Sequence, residues 1–336
     1  MVNACGEPVL TACVWWLCRW HSSARGRQMV ERIALGIIPG VGWRASEIRS
    51  VAQEAEAAGF EAIFSTEVNN DVLATAQLMG EATKTIRVGS WVANIYLRQS
   101  YLCAKGAALI ADATGGRMIL GLGVSHQPVN QALGIDMSSP IDALRQYTIK
   151  VASWLRGEGP ATHLPQQPAV HPVPIYLGAL TSTTVELAGE LADGVMPFLW
   201  SAKRIARSMT WVARGRAKAP GRGKLEMTLG LPTFVGNEMT ALMAAARANL
   251  GLYTTLPFFQ HLLHVSGFTA EAEKAKQGAG AESLSDEFLD AVCLIGPASR
   301  CRERLAAFTA AGLDLPILMP PIGVDSARAV INAFKS

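Results

Sequence analysis

The chain has 336 residues, half of them hydrophobic, 17% charged and 7% aromatic, with a formal net charge of +3. That composition excludes a disordered or fibrous protein, and so small a positive balance gives no reason to expect a nucleic-acid or acidic-membrane partner. The length suits two ordinary domains or one large α/β barrel.

Six cysteines form no Cys-x-x-Cys pair and no zinc-like spacing with histidine. Cys5, Cys13 and Cys18 crowd the start, while Cys103, Cys293 and Cys301 lie in apolar segments. They read as thiols of a reducing compartment, so a cytoplasmic protein is expected. Residues 1–28 differ in character from the rest of the chain. They carry Trp15, Trp16 and Trp20 without a clear period, and Arg19, Arg25 and Arg27 come after the apolar run, the reverse of a signal peptide. The run Val9–Cys18 is also too short to span a bilayer. The reading is a non-native or disordered extension ahead of a natural start at Met29, with 29–336 as a single domain.

From residue 32 onward, short apolar runs alternate with helical patterns. The first strand is Ile33–Ile38, ended by Pro39-Gly40, and the helix Ala45–Ala58 comes next with Ile48, Val51, Ala52 and Ala55 on one face. The second strand is Ala62–Ser65, and Asp71 caps a helix reaching Thr83. The third strand is Ile86–Ala93, with a helix over Ser100–Thr114 that stops at Gly115-Gly116. The fourth strand is Arg117–Gly121, then a loop from Leu122 to Ser139 and a helix Ile141–Leu155. A proline-rich stretch leads to the fifth strand, Ile175–Leu177, with a helix Thr183–Leu191. The sixth strand is Gly194–Phe198 with a helix Ala202–Arg216, and the seventh is Leu225–Val235. A helical region with loops fills 238–311, before the eighth strand Leu315–Met319 and a last helix Asp325–Phe334. Eight strands alternating with helices predict a closed (β/α)8 TIM barrel with an insertion around the seventh strand. The alternative, a doubly wound open sheet, lacks its Gly-x-Gly-x-x-Gly turn after the first strand.

In such a barrel the βα loops form the functional rim. Four rim segments stand out: Thr66–Asp71, Trp91–Arg98, Gly121–Gln131 and Gly178–Thr184. In the last, Gly178 and Ala179 lead to Thr181, Ser182 and Thr183 at a helix start. Free amides, hydroxyls and the dipole end there suit a phosphate, although a plain N-cap has the same sequence. Glu67 stands where the second strand reaches the rim. It either orients substrate and exchanges a proton or pairs with a neighbouring cation. His126, beside a glycine-rich turn, is either a proton relay or structural. His261 and His264 share a helix without a third metal ligand, so no metal site is expected. Eight Lys/Arg and no acidic residue lie between Asp193 and Glu226. Lys203, Arg204 and Arg207 fall near the rim, where they could meet a phosphate or acidic tail, whereas Arg214, Arg216, Lys218, Arg222 and Lys224 fall at the opposite face.

Several linked motifs resemble the luciferase-like monooxygenase superfamily over about residues 31–335. They are Gly59-Phe60 with Ala62-Ile63-Phe64 and Glu67, Thr85-Ile86-Arg87-Val88-Gly89, Gly116 through Gly123, and Glu186 through Gly194. Trp91-Val-Ala-Asn94-Ile-Tyr96-Leu-Arg98 and Gly123-Val-Ser-His126-Gln-Pro128 resemble the branch that uses the deazaflavin coenzyme F420. The resemblance implies a ring system at the barrel mouth, a phosphate at Gly178–Thr183, and a non-proline cis peptide near Trp91-Val92 supporting the ring. It implies Asn94 at the ring edge, though Asn94 also suits a turn cap. Glu67 and His126 would face substrate. Trp91 is bulkier than the small residue expected there, and with Val92 it could equally be barrel filling.

The function so implied is an F420-dependent oxidoreductase moving a hydride between the deazaflavin and an organic small molecule, working as a homodimer. An FMN-dependent monooxygenase of the same fold is the alternative, and a catalytically silent flavin-binding barrel is another. A cofactor-free aldolase lacks a Schiff-base lysine on the rim. Residues 257–280 are expected either to cover the site, as insertions there do in the superfamily, or to serve packing or a subunit contact.

Overall fold

The computed structural model describes residues 32–160 and 164–335. The expectations for residues 1–28, Met29 and His163 therefore lie outside the described residues. Among the described residues ten strands occur in chain order: β1 Ala34–Ile37, β2 Ala62–Ser65, β3 Arg87–Ser90, β4 Ala93–Asn94, β5 Met118–Gly123, β6 Ile175–Gly178, β7 Gly194–Met196, β8 Glu226–Val235, β9 Leu294–Gly296 and β10 Leu315–Met319. All pairings are parallel, and β10 joins both β1 and β8, which closes the barrel. β3 and β4 together form one stave of this eight-stave barrel, and β9 stands outside it. Because the strands are parallel, their C-terminal ends share one rim.

The barrel interior is filled by Ala34, Ala62, Phe64, Ile119, Tyr176, Met196, Leu315, Ile317 and Met319, with Trp91 and Val92 packed on them. A larger apolar layer joins the outer strand faces to the helices. Asp71 caps the helix Val72–Ala82, accepting from the amides of Leu73 and Ala74 at 2.8 and 3.1 Å.

Three departures from the expected elements matter. The third strand is interrupted. Gly89 lies opposite Ile119 and Ala93 opposite Leu122, so four steps on one strand match three on its neighbour. This one-residue bulge contains the cis peptide bond Trp91-Val92. The Ser90 hydroxyl fills the gap in the ladder, accepting from Gly121 N at 2.9 Å and donating to Gly121 O at 2.8 Å. The segment expected as a loop after the fourth strand extends β5 to Gly123 and then forms a helix, Gln127–Ala132. Pro128 at the helix start suits that position.

β9 is the third departure, since an all-helical insertion was expected. β8 is ten residues long, and its last three, Thr233–Val235, pair with β9 beyond the rim. The run Cys293-Leu-Ile-Gly296 is too short for periodicity to separate strand from helix. Its pairing with the extended β8 decides the matter. This pairing anchors the insertion helices Met239–Gly251, Pro257–Val265 and Thr269–Lys276 on the rim side. No helix among the described residues is long and apolar enough to cross a membrane.

Candidate active site

The bulge between β3 and β4 organises the rim. Its side chains reach in two directions. Trp91 turns inward: a Cβ added at Gly230 would lie 2.4 Å from its Cζ2, so the indole rests on bare backbone of β8. Phe198 packs against it edge-on at 5.3 Å. Val92 turns sideways into the space left by Gly123 and Gly178, where added Cβ atoms would lie 2.4 and 3.5 Å from its methyls. The bulge and the expected phosphate segment are thus adjacent through Val92.

Glu67 fixes the far side of the bulge. Its side chain is only 4% exposed. It accepts from Arg98 Nη1 and Nη2 at 3.1 and 2.5 Å, from the Asn94 amide at 2.6 Å and from the Val72 amide at 3.4 Å. Burial works against the Arg98 charge, but Glu67 outweighs it and Arg98 is held above its ordinary pKa. Tyr147 Oη donates to the Arg98 carbonyl at 3.0 Å. The carboxylate therefore pairs with a neighbouring cation and holds backbone.

Asn94, 2% exposed, donates from Nδ2 to Asn130 Oδ1 at 2.8 Å and accepts from Tyr96 N at 3.2 Å. Its side-chain oxygen caps the turn. Asn130, fully buried, donates on to Val124 O at 2.8 Å and braces the loop after β5.

His126 lies apart from Glu67, at the other edge of an aromatic chain. Its ring stacks on Phe258 at 5.1 Å and meets Tyr253 edge-on at 6.0 Å. Tyr253 in turn touches Phe198 at 5.4 Å, which touches Trp91. A continuous aromatic path thus runs from the barrel interior to the insertion. Burial lowers the His126 pKa below 6.5, so the imidazole is neutral at neutral pH.

Gly178 ends β6, and Thr181 caps the helix Ser182–Leu191, accepting from Thr184 N at 3.3 Å. Ala179, between them, donates to Met196 O at 3.4 Å. The Ser182 and Thr183 amides are first-turn donors without an intrahelical carbonyl. Arg204 approaches this segment from behind, donating to Leu180 O at 3.0 Å. Burial, and then Arg207, push its pKa down to about 10, so it remains a cation at neutral pH. Lys203 and Arg207 are exposed. The second basic group sits at the opposite face. Arg214 and Lys218 pair with Glu186, and Arg222 pairs with Asp193, while Arg216 donates to Gly189 O and Ala192 O.

Among the described residues, four buried aromatic polar atoms lack a hydrogen-bond partner: Trp43 Nε1, Trp91 Nε1, Tyr96 Oη and Trp200 Nε1. All four lie on βα segments. The only non-glycine residues with left-handed backbone among those described, Asn69, Ser125 and Leu199, also lie on βα segments. Unpaired buried donors and strained backbone are costly and concentrate where a ligand binds. By contrast, a surface cavity of about 630 Å³, lined among others by Arg156, His171, Asp193 and Arg222, opens near the N-terminal ends of β6 and β7 and shares no residue with the rim.

Sequence reasoning did not single out Asn130, Phe198, Tyr253 or Phe258. An aromatic density in Tyr253 to Phe259 was visible, but its partner across the rim was not. Arg98 lay within a motif that drew attention to Asn94 instead.

This is the rim of a TIM barrel with a bulged third stave beside a glycine-to-helix turn. The family profile of luciferase-like monooxygenases matches residues 15–315, and the chain belongs to that family. A Mycobacterium tuberculosis protein named, provisionally, as a coenzyme F420-dependent oxidoreductase is 27% identical, covering 79% of this chain and 88% of its own length. The coenzyme F420-dependent tetrahydromethanopterin reductase of Methanopyrus kandleri superposes with a TM-score of 0.74 at 18% identity, over 90% of this chain and 97% of its own. The oxygenating constituent of 3,6-diketocamphane monooxygenase from Pseudomonas putida, in complex with FMN, superposes with a TM-score of 0.65 at 15% identity, over 91% and 96%.

Proposed function

We propose that the chain is an F420-dependent oxidoreductase that exchanges a hydride with an uncharged, largely apolar organic molecule. The observation that carries this reading is the bulge Trp91–Asn94 wedged by Val92 against Gly178, with a buried, unpartnered Trp91 Nε1 beside it. Such a donor fits a bound ring system that offers an acceptor, and the open side of Gly178 fits a phosphate approaching the backbone. The M. tuberculosis and M. kandleri likenesses support the deazaflavin. When bound, this group supplies the hydride chemistry at C5.

The chain's own residues orient and enclose. Gly178, Ala179, Thr181, Ser182 and Thr183 would hold the phosphate end, and Trp91 and Val92 would support the ring. Asn94 acts through its fold role, with Asn130, in fixing the bulge. Glu67, saturated by Arg98 and two amides, serves as a positioning residue in this reading rather than as the proton donor expected from its place in the sequence. Neutral His126 remains the rim group able to donate or accept a proton near neutral pH. The surrounding wall of Phe198, Tyr253 and Phe258 carries no charge and favours an apolar substrate.

The FMN-dependent monooxygenase is the second reading, supported by the P. putida likeness. A homodimer is proposed through the exposed Tyr101, Leu102 and Leu109 of the helix Ser100–Ala113, and the free thiols Cys103, Cys293 and Cys301 support a reducing compartment. Fluorescence titration with F420 and with FMN tests the cofactor. Quenching by F420 alone supports the first reading, and FMN binding with substrate-dependent oxygen uptake supports the second. Binding without turnover of any carbonyl or alcohol would point to a silent barrel.

A further inference from the structure

One buried cation joins the two halves of this rim. Arg204 is 6% exposed, and its guanidinium lies over the rings of Trp200 at 4.8 Å and Trp211 at 5.5 Å. No carboxylate pairs with it among the described residues. Its two terminal nitrogens instead reach backbone carbonyls on separate elements. Nη2 donates to Leu180 O at 3.0 Å, in the turn between Gly178 and Thr181. Nη1 donates to Val265 O at 3.3 Å, the last carbonyl of the insertion helix Pro257–Val265. A cation at that end complements the helix dipole and satisfies a carbonyl the helix itself leaves open. At the other end of the same helix, Phe258 stacks on His126. Arg204 therefore links the Gly178–Thr183 turn to one end of the helix Pro257–Val265, and the Phe258 stack links its other end to the loop after β5.

We propose that Arg204 is a positioning residue that couples occupancy of the Gly178–Thr183 turn to closure of the helix Pro257–Val265 over the substrate side. The inference rests on the phosphate reading of that turn. A ligand phosphate on the turn fixes the Leu180 carbonyl, Leu180 fixes the guanidinium fork, and the fork fixes the helix whose Phe258 meets His126. Only a planar fork with two parallel donors holds both carbonyls at once, which a lysine ammonium on a flexible stem does not reproduce.

Hydrogen exchange in the full chain tests this, with inorganic phosphate as the probe and Arg204→Met and Arg204→Lys as variants. Without ligand, Arg204→Met should speed exchange both at 180–184 and at 257–265, by about tenfold, and Arg204→Lys should do so less. With saturating phosphate, the wild type should slow at both segments, whereas Arg204→Met should slow at 180–184 alone. Slowing of 257–265 in Arg204→Met to the wild-type extent would overturn the coupling. So would acceleration confined to one segment in the ligand-free variant. If phosphate slows neither segment in the wild type, the phosphate reading fails, and the ligand-free arm then decides whether the link itself exists.

Discussion

At the N-terminal end of the barrel, Arg32, Glu61, Arg87, Glu226 and Tyr176 satisfy one another. At the C-terminal end, four buried aromatic polar atoms have no partner and three non-glycine residues hold left-handed backbone, among the described residues. Arg32 bridges Glu61 and Glu226 at 2.6 and 2.5 Å, and Arg87 and the Tyr176 hydroxyl close the same network. Nearby, Arg117 donates to the Gly80, Thr83, Ile86 and Thr114 carbonyls. Glu56 accepts from the amides of Lys84, Thr85 and Ile86, which outweigh burial and bring its pKa down to about 2. The same strands thus end in a largely saturated face, where Arg216 Nε is still unpartnered, and in one that leaves its buried aromatic donors unsatisfied. Saturation is what a face built for stability requires, and the unsaturated rim has room for groups that only a ligand supplies.

The contrast can be broken first at the saturated face. Glu226→Ala leaves the Tyr176 hydroxyl without its partner and Arg32 and Arg87 with Glu61 alone, and should cost about 1–3 kcal/mol in urea unfolding while leaving the cofactor affinity of the folded protein unchanged. A stable variant, or one that folds but no longer binds, would erase the distinction between the two faces. Trp91→Phe makes the opposite probe. It removes the unpartnered N–H together with the benzo ring over Gly230, so it should cost about 1–2 kcal/mol of stability for the space left behind, while affinity or turnover falls about tenfold, roughly 1.4 kcal/mol. Loss of stability with intact affinity would mean that the indole has a structural role alone.

The stacked His126 adds a pH arm. Its folded pKa is depressed by burial, so the unfolded chain binds the proton more readily, and the contribution is fully present above about pH 6.5 and lost as pH falls below it. His126→Phe should flatten that part of the stability profile, and an unchanged profile would place the titrating group elsewhere. The smallest effect is expected at Ser125, whose φ is 59°. Ser125→Gly should relieve up to about 1 kcal/mol of backbone cost, visible as a higher melting temperature. A lower one would show that the side chain contributes more than the backbone costs.

The two faces also differ in how much of them the sequence revealed. Thr85 to Gly89 and Gly116-Arg117 were legible as family motifs, not from local spacing, since the bonds of Glu56 and most of those of Arg117 reach 28 to 37 residues along the chain. Strand order followed from the alternation of strands and helices, and the cis bond at Trp91-Val92 from the family resemblance. The rim was legible only in position. Glu67 and Asn94 were found, but not that they consume each other's hydrogen-bonding capacity through Asn94 N and Arg98, since that pairing spans 27 and 31 residues. Tyr253, Phe258 and Arg204 meet the rim from an insertion and a neighbouring helix. No spacing rule relates them to His126 or Leu180, and only the closed barrel brings them together.

The central claim is that the rim, and not the opposite face, holds the cofactor. F420 titrations of the wild type, Gly178→Val and Glu226→Gln test it most directly. A Cβ at Gly178 makes only ordinary contacts with Val92 and Leu122, and the residue has no left-handed backbone, so the valine variant should fold. The account predicts that Gly178→Val loses F420 binding by about a hundredfold or more, roughly 2.7 kcal/mol, with near-normal stability, while Glu226→Gln loses stability and keeps affinity. Wild-type affinity in Gly178→Val, or lost affinity in folded Glu226→Gln, would contradict it.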